Sequence, residues 1–250
     1  MEYILTGKDM KALDRYTIEN IGIPSLVLME NAARSAVHYI TDKKLFRKIL
    51  IVCGTGNNGA DGLCIYRILK IQGFSCDCIV VGDEQKATEE FCIQKKILEN
   101  LSFELSKECD FERYDMIVDA LFGVGLSRAV TGIFAETINK MNTANAYIYA
   151  VDIPSGISSD TGNVCGCAVK ADRTVTFGYR KTGIVRYPGK NYCGHVLVCD
   201  IGYSNQVCKA LGFERKYCTD KDLENIPKRD SNGNKGTFGK ILIIAGSEKY

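Results

Sequence analysis

Four short stretches hold the residue types that do chemistry. They are "GTGNNGADG" at 54–62, Asp119 in "DALFGVGLSR", the "GVGLSR" loop at 123–128, and Asp152 in "DIPSG" with Ser155 behind it. Asn57 and Asn58 carry amides suited to a neutral polar group or a metal ion. Asp61 would repel a pyrophosphate at the start of a helix, so the spacing Gly54, Gly56, Gly59 does not read as an ordinary dinucleotide loop. Gly59 and Gly62 are expected to let the backbone turn sharply and approach a ligand. In "GVGLSR", two glycines free backbone N–H groups for an anion-binding nest and Arg128 adds a positive fork, so a phosphate is expected there. Asp119, Asn58 and Ser155 could supply hard oxygen donors to a small cation. A hydrogen-bonded network without metal suits the same residues equally well.

These residues need a frame that brings them together. β-rich runs recur at 48–54, 75–82, 114–123, 145–156, 171–178 and 194–202, with helical stretches near 61–72, 86–100 and 131–142 between the earlier ones. Alternation of strand and helix predicts an α/β fold: a three-layer, Rossmann-like, doubly wound and mainly parallel sheet. The first three runs are rich in Ile and Val, as strands covered on both faces are. Two helical stretches precede the sheet, "GKDMKALDRYTIENIG" and "IPSLVLMENAARSAVHYITD", giving an N-terminal helical extension. Ligands of such sheets bind beyond the carboxyl ends of the strands where strand order reverses. "GTGNNGADG", Asp119 and Asp152 all stand at such ends. One alone would read as a turn or cap; three on the same edge predict a site.

The 250 residues carry 25% charged side chains and a net charge of +2, so no strong field recruits nucleic acid or an anionic membrane. No apolar run approaches the ~20 residues that cross a bilayer, and the N-terminus lacks the pattern of a secretory signal, so a cytoplasmic protein is expected. Twelve scattered cysteines without a C-x-x-C pair, beside two histidines, read as small apolar residues in a reducing compartment. His38 and His195 are expected to be structural, and Tyr179, Arg180 and Lys181 to form a solvated loop. The expected domain runs over 1–205. The charged stretch 206–235 reads as a linker, and 236–250 as a fresh strand, 240–245, that opens a second domain. A chain ending near Asn205 is then expected to fold by itself.

"IPSLVLMENAARSA", "GTGNNGADGL", "VDALFGVGLSR", "VDIPSG", "ADRTVTFG" and "VLVCDIG" resemble, in order and wording, the NAD(P)H-hydrate epimerase family over roughly residues 8–204. The resemblance implies interconversion of the R and S forms of hydrated NADH and NADPH, with a bound potassium ion. By motif, Asn57, Asn58, Gly59, Ala60 and Asp61 would bind the hydrate, as would Gly123, Val124, Gly125, Leu126, Ser127, Arg128, Ala129 and Asp152. Asn58, Asp119 and Ser155 would hold potassium. Asp152 is the expected acid–base group, with Asp61 as the second choice or its partner in divided roles. "NKGTFGKILIIAGS" is similar to the opening of the ribokinase-like NAD(P)H-hydrate dehydratase often fused behind such an epimerase, which implies a bifunctional full-length protein. Hydrated NADH or NADPH is the expected partner, with a homo-oligomer allowed. The rival readings are a non-catalytic scaffold of the same fold and an ordinary NAD-dependent oxidoreductase, the latter disfavoured by Asp61.

Overall fold

The computed structural model describes the chain except residues 43–45, 225–230, 234–235, 237–239, 241 and 244–250. It divides into two compact units, Tyr3–Lys216 and the pair of segments Met1–Glu2 and Tyr217–Tyr250. The elements run β1 (Glu2–Leu5), α1 (Gly7–Tyr16), a π-turn (Thr17–Ile21), α2 (Ser25–Thr41), β2 (Ile49–Cys53), α3 (Asn57–Ile71), β3 (Cys76–Val80) and α4 (Glu89–Asn100). Then come β4 (Met116–Ala120), α5 (Ile133–Thr143), β5 (Tyr147–Val151), β6 (Arg173–Phe177), β7 (Arg180–Lys181), α6 (Thr182–Val185), β8 (His195–Cys199) and α7 (Asn205–Ala210).

Six strands form one sheet in the order β3-β2-β4-β5-β6-β8, and every pairing is parallel. The order reverses between β2 and β4, so the crevice of this sheet lies over their carboxyl ends. Both faces are covered, which is why "ILIVC" is apolar throughout and buried at all five positions. Alternate residues face opposite ways. Ile49, Ile51 and Cys53 pack with Ala33, Val37, Leu63 and Leu69 of α2 and α3. Leu50 and Val52 pack with Ile138 and Met141 of α5. Cys53, Cys64, Cys76, Cys78, Cys193, Cys199 and Cys208 are buried as free thiols.

The N-terminal extension contains more than helices. β1 pairs in parallel with β7, setting Ile4 opposite Arg180 and Leu5 opposite Lys181. A strand this short, ahead of two helical patterns, has no periodicity of its own to announce it. Thr6 caps α1 in a reciprocal box with Asp9, and the α1 face packs Met10 and Leu13 against Val207 and Cys208 of α7. The expected linker from 206 therefore starts inside a packed helix, and the first unit continues to Lys216. In the other unit, Thr219 and Asp222 form a capping box over α8 (Asp220–Leu223). Of the strand expected at 240–245, residues 241, 244 and 245 lie outside the described residues, and 240, 242 and 243 are not in a strand. Among the described residues, no helix is long and apolar enough to cross a membrane.

Candidate active site

The carboxyl ends of β2, β4 and β5, neighbours in the sheet, open into a cavity of about 820 Å³. α3 starts at its rim because Gly56 is extended and Asn57 takes up the helix at once. A Cβ on Gly59 would stand 1.8 Å from the Gly54 carbonyl oxygen, and one on Gly62 2.6 Å from the Ala120 and Cys53 side chains. Gly59 and Gly62 thus let the helix press onto the strands. The expectation that they turn the chain sharply toward a ligand is corrected: both lie inside helical turns.

Asn57, Asn58, Asp61, Asp152 and the run Gly123, Val124, Gly125, Leu126, Ser127 and Arg128 line the cavity. Gly59 and Ala60 sit behind its wall, Ala129 lies outside it, and Asp119 and Ser155 are buried beneath it. Leu28, Met29, Phe122, Phe134 and Ile201 make the rest largely apolar, the kind of surface on which a flat ring can settle.

Asp152 follows β5 with φ +67, one of two non-glycine residues among those described with a positive φ. Such a backbone costs ~1–3 kcal/mol and is held only where the surroundings over-determine it. Here the Asp152 carboxylate accepts from the Phe177 amide at 3.1 Å and forms an ion pair with Lys181. Lys181 is 1% exposed, and its ammonium also donates to the Thr176 hydroxyl (3.0 Å) and the Phe177 carbonyl (2.8 Å). The solvated loop expected at 179–181 is therefore wrong at Lys181, which the β1–β7 pairing draws inward. The signal missed was position: Lys181 follows β6 on the same edge as Asp152.

Asp61 faces the same space. Withdrawal from water, then the charges of Asp152 and Asp14, hold its carboxyl well above the usual range; Lys181 opposes this weakly. Asp14, from α1, also lines the cavity; burial raises its carboxyl, while a hydrogen bond from Tyr203 pulls it down. Tyr203 reaches this spot across Gly178, where φ is +69 and a Cβ would meet the tyrosine ring at 2.3 Å. Sequence alone did not single out Asp14 or Tyr203, because an acid in an amphipathic helix reads as part of its solvated face.

Beneath the cavity, Asp119 is fully buried and accepts from the Ser155 hydroxyl (2.6 Å), the Ser155 amide (2.8 Å) and the Leu121 amide (3.3 Å). Burial pushes its carboxyl up to about 6 against the pull of these bonds. Among the described residues, none of the groups acting on it is charged, whereas a buried carboxylate is ordinarily paired or bound to a metal. The Ser155 hydroxyl also accepts from the Phe122 amide at 2.8 Å. Next to Phe122, Gly123 leaves room for the Asn58 side chain, whose buried amide nitrogen has no partner among the described residues. The oxygens gathered here are a fitting donor set for a hard monovalent cation.

Residues 25–183 match the family described as YjeF-related protein N-terminus. The chain is 43% identical over 203 residues to an NAD(P)H-hydrate epimerase of Limosilactobacillus fermentum, covering 80% of this chain and 97% of that one. The chain belongs to the NAD(P)H-hydrate epimerase family. An epimerase of that name from Oenococcus oeni is 41% identical over 201 residues, 79% of this chain and 96% of its own. The crystal structure of a yeast protein superposes with a TM-score of 0.71 at 19% identity, covering 88% of this chain and 97% of that one, and so shares the fold. Membership of the epimerase family bears out the reading of the chain as an enzyme of that kind, and the scaffold reading is not favoured.

Proposed function

We propose that this protein interconverts the R and S epimers of hydrated NADH and NADPH. The observation that carries the reading is the contrast between two carboxyls facing one cavity. Asp152 is ion-paired to a buried lysine, and Asp61 is held toward its neutral form. Two carboxyls in such different surroundings are suited to different roles. A scaffold has no use for such a contrast.

The hydrate bears its hydroxyl on a carbon bonded to the ring nitrogen. The nitrogen lone pair expels it as Asp61 gives a proton to the departing oxygen, leaving water and a planar iminium. Asp152, ion-paired to Lys181, offers its carboxylate to that cation. Water then adds to the opposite face, its surplus proton passes to a site carboxylate, and the other epimer results. The apolar walls, Phe122 and Phe134 among them, limit other water, and the Gly123–Arg128 loop suits the phosphates. Asn58, Asp119 and Ser155 are the residues we assign to potassium, which would supply fixed positive charge under the loop that starts α3. The Ser155 hydroxyl, donating to Asp119 and accepting from the Phe122 amide, ties the ends of β4 and β5 together beneath the "GVGLSR" turn.

The test is direct. The R epimer is mixed with the protein, the epimers are separated by chromatography over time, and equilibration is compared with buffer alone. Acceleration in proportion to protein concentration is expected; equilibration at the spontaneous rate refutes the reading.

A further inference from the structure

The cavity holds a third carboxylate that the catalytic scheme leaves unused. Asp14 enters it from α1, beside Asp61 from α3 and Asp152 from the end of β5. An ammonium has three hydrogens to donate, and those of Lys181 go to Asp152, Thr176 and the Phe177 carbonyl. Nothing from Lys181 remains for the other two acids. Asp14 instead receives the Tyr203 hydroxyl, and among the described residues no hydrogen bond reaches the Asp61 side chain. Two carboxylates facing one cavity resist ionising together, and such a pair tends to keep one proton over a wide pH range.

We infer that Asp14 and Asp61 hold a single proton between them, and that Tyr203, by donating to Asp14, keeps that proton on Asp61. Asp14 and Tyr203 are then positioning residues: they charge Asp61 as the acid that meets the hydrate. This rests on the epimerase reading for its purpose, though not for its existence. When the hydroxyl departs, the proton leaves Asp61 with it as water. When water adds back, the proton it sheds returns to the carboxylates and the pair is restored. The charged groups facing Asp61 are Asp152, Asp14, Lys181 and Glu90 of α4. Those facing Asp14 are Lys181 and Asp152, with Lys11 one turn away on its own helix. The raised carboxyls of both acids, Asp61 the more so, agree with this placement. Asp14 and Tyr203 lie outside residues 25–183, the stretch the family description matches.

The experiment is a carbon-13 NMR titration of protein labelled at the aspartate carboxyls, with the Asp61 signal assigned by its loss in Asp61→Asn. Asp14→Asn removes the neighbouring charge. Tyr203→Phe removes the bond that biases the proton, so that Asp14 takes more of it and its charge presses less on Asp61. In Tyr203→Phe the Asp61 signal is expected to titrate in two steps shared with Asp14, and in Asp14→Asn its titration is expected to fall by about one pH unit or more. The alkaline limb of kcat/KM should move down with it. An Asp61 titration unmoved in both folded variants overturns the inference; if Asp14→Asn does not fold, Tyr203→Phe alone decides. A shifted titration in a protein that equilibrates epimers no faster than buffer upholds the proton pair and refutes the epimerase reading instead.

Discussion

Asp61 gives the folded protein a pH dependence whose sign can be stated. Its carboxyl in the fold stands well above its ordinary value of 3.8. The folded state keeps a proton that the unfolded chain has already released. That contribution to stability is complete below the unfolded value and disappears as pH rises through the folded one. Asp61→Asn cannot ionise, so its melting temperature should exceed the parent's at alkaline pH, by about 2–4 °C for each kcal/mol of relief. Its epimerisation rate should drop about 100-fold or more. Melts from about pH 5 to about pH 9 check the first, and equal curves for both proteins would deny it. Lys181 calls for the opposite comparison. Lys181→Met strands Asp152 without its cation and should cost about 3–5 kcal/mol. Lys181→Met with Asp152→Asn should recover most of that in urea titrations, yet remain inactive. Asp119→Asn removes a charge from the oxygen set, so it should raise the potassium concentration needed for ligand binding. Ligand affinity in the parent that ignores potassium would remove the ion from the account.

α3 is the element on which the site turns. It can rest on β2 and β4 only because Gly59 and Gly62 lack side chains. Gly59→Ala puts a methyl into the Gly54 carbonyl and should cost about 3 kcal/mol or more, shifting Asn57, Asn58 and Asp61 off the rim. Circular dichroism melts and ligand affinity should fall together; an unchanged affinity would mean the rim tolerates the shift. The sheet was legible because β-rich runs, each followed within a few residues by glycine, recur with helical stretches between the earlier ones. Asp61, Asp119 and Asp152 were legible because each falls in a glycine-bearing stretch that ends or follows a β-rich run. Lys181, Asp14 and Tyr203 were not. Lys181 sits in a polar stretch whose burial depends on β1, some 175 residues away in sequence. Asp14 repeats at ordinary helical spacing. Tyr203 acts through Gly178, a contact no local pattern records.

For the whole chain, the boundary of the first unit decides where it can be cut. A chain ending near Asn205 loses Val207 and Cys208 from the cluster with Leu5, Met10 and Leu13, an apolar burial of about 2–4 kcal/mol. Ending after Lys216 keeps it. Thermal unfolding of the two truncations should differ by several degrees, with the longer close to the parent; equal melting temperatures would show that α7 contributes little. The same arrangement bears on how the protein is made. β1 and α1 leave the ribosome ahead of the central sheet, yet Leu5 waits for Thr182, and Asp14 waits for Tyr203, 189 residues later. The central sheet can assemble while the leading helix still stands idle with Met10 and Leu13 uncovered. Contacts so distant in sequence form late, and apolar groups left open meanwhile invite association. The newborn chain is therefore exposed along β1 and α1, and a chaperone that holds these two segments would guard them until the cavity closes.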